Sequence, residues 1–181
     1  MKNLALVALV VLLAATSASA QVTNGDFATS ISGWTLGGAG VPISWHPTVG
    51  NPGGSAYFYG AYGGTGSIDQ MFQCGGGHGD ANCDISLEYR YYLSSGASVQ
   101  VVVSIDNVDV YTVNHVTESP LWNPVTLTVP CGLHSIKVST NTLSMGTFGQ
   151  WAVFADNVQG LCTSVVPDEA QGWGTLKATY R

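Results

Sequence analysis

Between residues 55 and 158 the sequence is a series of short apolar runs with the two-residue period of β-strands, separated by Gly, Pro and Asn turns. The alternation is clearest over residues 85–93, where Ile85, Leu87, Tyr89, Tyr91 and Leu93 alternate with Ser86, Glu88, Arg90 and Tyr92. Further strands are predicted at residues 55–59, 67–73, 99–105, 108–113, 125–129, 133–140 and 148–158. About eight short strands of this kind predict an all-β protein, a two-sheet antiparallel β-sandwich.

Two connections between these runs carry their own predictions. Asp106-Asn107 is expected to turn the chain from residues 99–105 into residues 108–113. Residues 125–129 and 133–140 are expected to form another strand pair around Pro130-Cys131-Gly132. Trp34, which follows Gly33 at the start of the first strand, is expected to pack into the core.

The two ends of the 181-residue chain differ from this pattern. Residues 1–20 combine a basic Lys2, an apolar run and a small-residue cleavage site, which predict a signal peptide; an uncleaved anchor helix is the alternative. Residues 21–162 form the predicted β-sandwich domain, and residues 163–181 a linker and tail. In the tail, Trp173, Leu176 and Tyr180 have the spacing of a short helix, against the alternative of a frayed terminus.

The charge balance limits the possible partners. The chain has 11 acidic residues against 5 Lys and Arg, a formal net charge of −6. A chain this acidic has no basic surface for nucleic acid or anionic lipid, and after cleavage no segment is expected to span a membrane. We therefore expect an extracellular or cell-surface protein whose neutral polar surface suits sugars or cell-surface packing.

Four cysteines occur after the signal peptide, and an even number in an exported chain predicts disulfides. Of the three possible pairings we favour Cys74–Cys83, which closes a Gly-rich loop, with Cys131–Cys162, which ties late strands together. The alternative is a metal site made by His78 and the two nearby cysteines. Its spacing matches no closed zinc pattern, so disulfides are the better interpretation.

Two short motifs bracket the predicted sandwich: Asn24-Gly25-Asp26-Phe27 with Gly33-Trp34 at its start, and Phe154-Ala155-Asp156-Asn157-Val158 near its end. This pattern resembles the family 4/9-like carbohydrate-binding modules of the galactose-binding-like class, which occur in secreted bacterial proteins. The resemblance covers most of residues 22–161 and implies a jelly-roll sandwich that binds a polysaccharide or glycan.

The resemblance also implies one structural calcium ion between the opening segment and the last strand. Asp26 and Asp156 occupy the matching motifs, and carboxylates are the ligands that calcium prefers. The match is incomplete, because Ala28 stands where such modules commonly have an acidic residue. The alternative is that both aspartates only accept hydrogen bonds in turns.

Sugar sites present aromatic faces to pyranose rings, with polar groups at the edges. Five residues are the candidates for such a groove: Tyr57, Tyr59, Arg90, Tyr92 and Trp122, the last expected in a loop before Asn123-Pro124. The alternative is that the tyrosines merely cover the second sheet.

No catalytic motif stands out, because the chain has neither a G-x-S-x-G elbow nor an H-E-x-x-H pattern, and nothing favours a carboxylate pair such as Asp69 and Glu88. The sequence therefore predicts a secreted, non-catalytic carbohydrate-binding-like module. The alternative is a structural or adhesive surface protein that uses the same sandwich without a sugar site.

Overall fold

A computed structural model describes residues 22–61, 63–74, 82–147 and 149–162. Residues 161 and 162 are described by their backbone alone. Ten strands account for most of this part of the chain: β1 (Thr35–Ala39), β2 (Ile43–His46), β3 (Ser55–Gly60), β4 (Thr65–Cys74), β5 (Asn82–Leu93), β6 (Ala97–Ile105), β7 (Val108–His115), β8 (Ser119–Pro130), β9 (Gly132–Met145) and β10 (Trp151–Cys162). No helix that could cross a membrane occurs among the described residues.

The strands form two antiparallel five-stranded sheets, in the orders β1-β4-β9-β6-β7 and β2-β3-β10-β5-β8. Without the short β1 and β2, the remaining eight strands have the order of a jelly roll. The predicted two-sheet β-sandwich is therefore confirmed. Strands β1 and β2 lie before the runs that the periodicity predicted.

The alternating pattern of the strands decides which side chains fill the space between the sheets. In β5, Ile85, Leu87, Tyr89 and Tyr91 are buried, whereas the residues between them are only partly covered. In β4 and β9, Ile68, Phe72, Ile136 and Val138 face the same core from the other sheet. Trp34 is 7% exposed and belongs to this core, as predicted.

The chain passes between the sheets at Cys131. β8 lies in the second sheet next to β5, whereas β9 lies in the first sheet between β4 and β6. The predicted pairing of residues 125–129 with 133–140 is therefore wrong. The strands are consecutive, but their apolar faces cover the core from opposite sides. The predicted turn at Asp106-Asn107 does join β6 to β7.

The two bracketing motifs contact each other. The Val158 N–H donates to the Gly25 carbonyl over 2.9 Å, so the opening segment lies against the last strand. Gln70 of β4 holds the same segment from the other sheet, because its side chain accepts from Thr23 N–H and donates to the carbonyls of Thr23 and Gly33. The opening motif thus bridges the two sheets at one edge of the sandwich.

The Cys74–Cys83 disulfide is present, as predicted, and joins β4 of one sheet to β5 of the other. The Cys131 sulfur lies within 4.8 Å of both sulfurs of this bridge. The backbone of Cys162 pairs with that of Cys83, but the Cys162 side chain and His78 lie outside the described residues. The Cys131–Cys162 bridge stays a prediction. The same applies to the signal peptide and to the tail with Trp173, Leu176 and Tyr180.

Candidate functional site

The outer face of the second sheet brings together four of the five predicted groove residues. Phe154 of β10 pairs with Tyr57 on one side and with Arg90 on the other, and Ala152 pairs in the same way with Tyr59 and Tyr92. Since Ala56 and Phe58 of β3 point into the core, the alternation turns Tyr57 and Tyr59 outward. The four side chains therefore occupy two neighbouring rows on one surface.

Phe154 is the centre of this surface. Its ring stacks on Tyr57 at 4.9 Å between centroids and meets the edges of His46 at 5.4 Å and Tyr92 at 5.8 Å. Tyr59 stacks on Tyr57 at 6.0 Å. We call these five residues (His46, Tyr57, Tyr59, Tyr92 and Phe154) the aromatic face. Phe154 is only 5% exposed, so it supports the tyrosines from below.

The Tyr57 hydroxyl of this face is a neutral hydrogen-bonding group. Burial, and then the nearby Tyr59 phenol, raise the pKa of Tyr57 above its ordinary value. A neutral phenol both donates and accepts, which suits the hydroxyls of a polar ligand.

Two polar atoms on this surface are buried without a hydrogen-bond partner among the described residues, Arg90 Nε and His46 Nδ1. The Arg90 guanidinium lies over the Tyr92 ring, with Cζ 4.7 Å from the ring centroid. A buried polar group without a partner is costly in the free protein. A ligand group that paired with either atom would remove this cost.

A shallow depression adjoins each end of the surface. One has a volume of about 220 Å³ and lies beside Tyr59, Tyr92, Ser94 and Gln150. The other, also about 220 Å³, has a mixed lining whose polar members are Ser86, Glu88, Thr126, Asn157 and Gln159. At about 3.3 Å per strand residue, β5 carries the surface over roughly 23 Å from Ser86 to its end at Leu93. This is room for an extended chain ligand rather than for a single small molecule.

The loop between β2 and β3 closes the Asp156 end of the surface. Asn51 N–H donates to Asp156 Oδ2 over 2.5 Å and its side-chain amide donates to Glu88 Oε2 over 3.2 Å. The Asn157 side chain donates to the Asn51 carbonyl and to Glu88 Oε2. These bonds fix the loop beside the carboxylate pair.

Asp156 is a fully buried carboxylate in a negatively charged environment. Burial raises its pKa to about 6, and the carboxylates of Glu88 and Asp26 add to that rise against the lowering effect of the Asn51 and Asn157 N–H groups. The one ion pair among the described residues is His134 with Asp106, so no basic side chain balances Asp156. Carboxylate oxygens that hold excess negative charge without a cation fit the hard donor set of calcium.

Asp26 is exposed, and its Oδ1 accepts from the Ala28 N–H at 3.4 Å, as a turn residue does. Its charge still raises the pKa of Asp156, so the two predicted ligands lie within electrostatic range of each other. The described residues hold no set of three carboxylate, His or Cys ligand atoms here within 4.8 Å of one another. Any further oxygens would have to come from the backbone or from water.

Trp122 differs from its prediction. It lies within β8 rather than in a loop, and among the described residues no ring contact joins it to the aromatic face. Conversely, the sequence reading missed His46 and Phe154. His46 lies on the unpredicted β2. Phe154 lies in a run of mainly apolar residues whose two faces look alike in the sequence.

No protein-family model matches the chain, and no curated protein matches it. Solved structures do share its fold. TmCBM61, a carbohydrate-binding module determined in complex with β-1,4-galactotriose, superimposes with a TM-score of 0.57 at 16% identity, covering 79% of this chain and 98% of that one. The chain thus has the β-sandwich fold of carbohydrate-binding modules.

Proteins of other kinds have this fold as well. The adhesin domain of Lys-gingipain from Porphyromonas gingivalis W83 superimposes with a TM-score of 0.58 at 10% identity, covering 75% of this chain and 94% of that domain. A cyclase from Fischerella sp. TAU, in complex with 4-(1H-indol-3-yl)butan-2-one, has a TM-score of 0.54 at 14% identity, covering 81% and 98%. Function has to be argued from the site, because the fold serves binding and catalysis alike.

Proposed function

We propose that this protein is a secreted, non-catalytic module that binds a polysaccharide chain on its aromatic face. The observation that carries the proposal is the convergence of Tyr57, Tyr59 and Tyr92 with two unpaired polar atoms on one surface. Pyranose rings place their apolar C–H faces on aromatic rings and turn their hydroxyls to polar groups at the edge. The depressions at both ends extend this surface along β5.

The second candidate is a structural or adhesive surface protein in which the tyrosines only cover the sheet. Stacking between Tyr57 and Tyr59 is compatible with such a cover. The unpaired Arg90 Nε and His46 Nδ1 favour binding, because a surface selected only for packing would gain by pairing them. Glycan binding by the purified protein distinguishes the two functions.

We also propose that one calcium ion binds between the opening segment and β10, with Asp156 and Asp26 as ligands. The uncompensated charge at Asp156 supports it, because a divalent cation would balance the three carboxylates there. The ion is structural in this proposal, since these carboxylates lie beside the loop of Asn51 and not under the tyrosines.

The test replaces single rings of the aromatic face. Tyr59→Ala and Tyr92→Ala should each weaken binding to a retained polysaccharide by about 1–2 kcal/mol, roughly 5- to 30-fold, because each removes a stacking ring. Affinity electrophoresis against soluble and insoluble polysaccharides measures this loss, and thermal melts run beside it. The length of the bound polysaccharide should not change on incubation, since binding is proposed without catalysis.

Two variants serve as controls for that experiment. Phe154→Ala removes the buried support and should reduce stability by about 3–5 kcal/mol. Met71→Ala changes an exposed side chain of the other sheet and should alter neither the affinity for the polysaccharide nor the melting temperature. If the purified protein retains no glycan, or if both tyrosine variants unfold, the structural alternative is the better one.

A further inference from the structure

Arg90 occupies an unusual electrostatic position. Within residues 22–61, 63–74, 82–147 and 149–162 the chain has two Lys or Arg residues, Arg90 and Lys137. Lys137 lies in β9 of the first sheet, opposite Asp69 and Ser104. Arg90 is therefore the one Lys or Arg of the described second sheet, and it lies beside the aromatic face, directly across from Phe154.

No described carboxylate pairs with this guanidinium. The ion pair that the structure describes joins His134 to Asp106 and does not involve Arg90. Glu88, two residues away on the same face of β5, accepts instead from the side-chain amides of Asn51 and Asn157. Asp156 accepts from the N–H groups of Asn51 and Asn157. The carboxylates of Glu88 and Asp156 are thus held by amides, although the chain has 11 acidic residues.

The guanidinium is also held in place by a ring contact, although its Nε has no hydrogen-bond acceptor among the described residues. Stacking on Tyr92 holds its plane, with Cζ 4.7 Å from the ring centroid, while Nε is buried and lacks an acceptor. An arginine that is already ordered loses little side-chain entropy when an anion binds. Its fork of N–H donors matches the two oxygens of a carboxylate or a sulfate.

We propose that the polysaccharide bound on the aromatic face is acidic, and that its anionic group pairs with Arg90. This inference rests on the proposed function and names the ligand class of the same site. The anion is a uronic acid carboxylate or a sulfate ester, which present the same paired oxygens. Arg90 is the specificity-determining residue, and Tyr59 and Tyr92, which lie in the neighbouring row, contact the adjoining sugar rings.

The first part of the test asks which glycans the purified protein retains. An array of neutral, uronic-acid and sulfated glycans is probed, and two matched pairs are then titrated: polygalacturonate against its methyl ester, and dextran sulfate against dextran. The two polysaccharides of each pair have the same sugar backbone and differ in charge. We expect the protein to retain acidic glycans and to lose at least about tenfold in affinity when the charge of the glycan is removed. Its affinity for an acidic glycan should also fall as the salt concentration rises from about 0.05 to 0.5 M. The matched pairs distinguish carboxylate from sulfate.

The second part assigns the effect to Arg90. On the tightest acidic glycan of the array, R90Q should weaken binding by about tenfold or more and remove most of its salt dependence. R90K keeps the charge but loses the planar fork, so its affinity should lie between wild type and R90Q. K137Q removes an equal charge from the other sheet and should bind as wild type does. Thermal melts verify that each variant is folded.

Each result decides a separate point. If the retained glycans are only neutral, or if R90Q weakens neutral and acidic glycans equally, the acidic-ligand inference is wrong while the proposed function stands. An acidic glycan whose binding is unchanged by R90Q and by R90K also overturns it. If no glycan of the array is retained, the proposed function itself fails, and this inference fails with it.

Discussion

At the residue scale, Gly25 accounts for the position of one of the two bracketing motifs. Its carbonyl accepts from Val158 N–H, and a Cβ added at Gly25 would collide with the Val158 carbonyl oxygen. Phe27, two residues later, is fully buried, and its carbonyl accepts from the Trp45 ring N–H over 2.7 Å. The opening motif is therefore a close backbone contact followed by a core anchor, and only glycine fits the contact.

We predict that Gly25→Ala destabilises the protein by about 1–3 kcal/mol, because the last strand must move to admit the methyl group. At about 2–4 °C per kcal/mol for a chain of this size, thermal denaturation resolves the change. Gly53→Ala is the matched control: its added Cβ would meet only the Pro47 carbonyl oxygen at 3.5 Å, an ordinary contact. Equal melting temperatures for the two variants would contradict a close contact at Gly25.

The sequence predicts some site residues and misses others for a physical reason. Tyr57, Tyr59, Arg90 and Tyr92 alternate with core residues, so their common outward direction follows from the strand period. Phe154 is as buried as a core residue yet lies under the outward tyrosines. Hydrophobicity alone does not separate a residue buried between the sheets from one buried under side chains on the outer face. The side chains that cover Phe154 come from neighbouring strands, which its own sequence does not indicate. His46 escapes prediction because its strand is only four residues long.

At the scale of elements, the hairpin between β6 and β7 is the best-specified connection. Asp106 and Asn107 both have positive φ, at 52° and 64°, as a two-residue type I′ turn requires. The Asp106 carboxylate also accepts from Ser135 N–H over 2.8 Å and contacts His134 Nδ1 at 2.7 Å. The turn is thereby fixed to the neighbouring β9.

We predict that Asn107→Ala reduces stability by about 1 kcal/mol, whereas Asn107→Gly is at least as stable as wild type. Alanine has a steric penalty at positive φ that glycine lacks. Both variants lose the 3.5 Å contact with Lys137 Nζ, so the difference between them isolates the backbone effect. Urea denaturation measures both. If the alanine and glycine variants have the same midpoint, the turn does not impose this conformation.

The positions of strands could be predicted where apolar and polar residues alternate. The sheet to which each strand belongs could not. The runs at 85–93 and 99–105 correspond to β5 and β6. The start of β1 was expected at Trp34, but its extent was not predicted, because its sequence is Thr-Leu-Gly-Gly-Ala and all five residues are exposed, which leaves no buried face to read. The crossing at Cys131 was misread because a strand shows which of its faces is apolar but not which sheet it joins.

At the scale of the whole molecule, the Asp156 region joins the first and last parts of the domain. The opening segment contributes Asp26, the β2–β3 loop contributes Asn51, and β5 contributes Glu88 beside β10. The charges of Glu88 and Asp26 thus act on Asp156 where four distant parts of the chain converge. A cation here would stabilise the closure of the domain itself, and its effect should appear in global unfolding.

Asp156 allows the sign of the pH dependence to be worked out. Its folded pKa, about 6, lies above the ordinary value of 3.8, so the folded state binds more protons than the unfolded state between these values. The stability that comes from the protonated form is therefore complete below about pH 4 and is lost as the pH rises through about 6. Calcium binds the ionised form, so its stabilisation develops over the range in which this contribution disappears.

We predict that in chelator the melting temperature falls as the pH rises from about 5 to 7, and that millimolar calcium opposes this fall. The calcium effect should grow with the logarithm of free calcium above its dissociation constant, by about 1.4 kcal/mol for each factor of ten. Asp156→Asn should abolish the calcium response and reduce the pH dependence, since it removes the titrating group. Asp69→Asn, on the other sheet opposite Lys137, should leave both responses intact.

Calcium would have no part in this closure if wild-type melting curves at pH 7 were the same in chelator and in calcium. A pH dependence that survives in Asp156→Asn would assign the titration to another group.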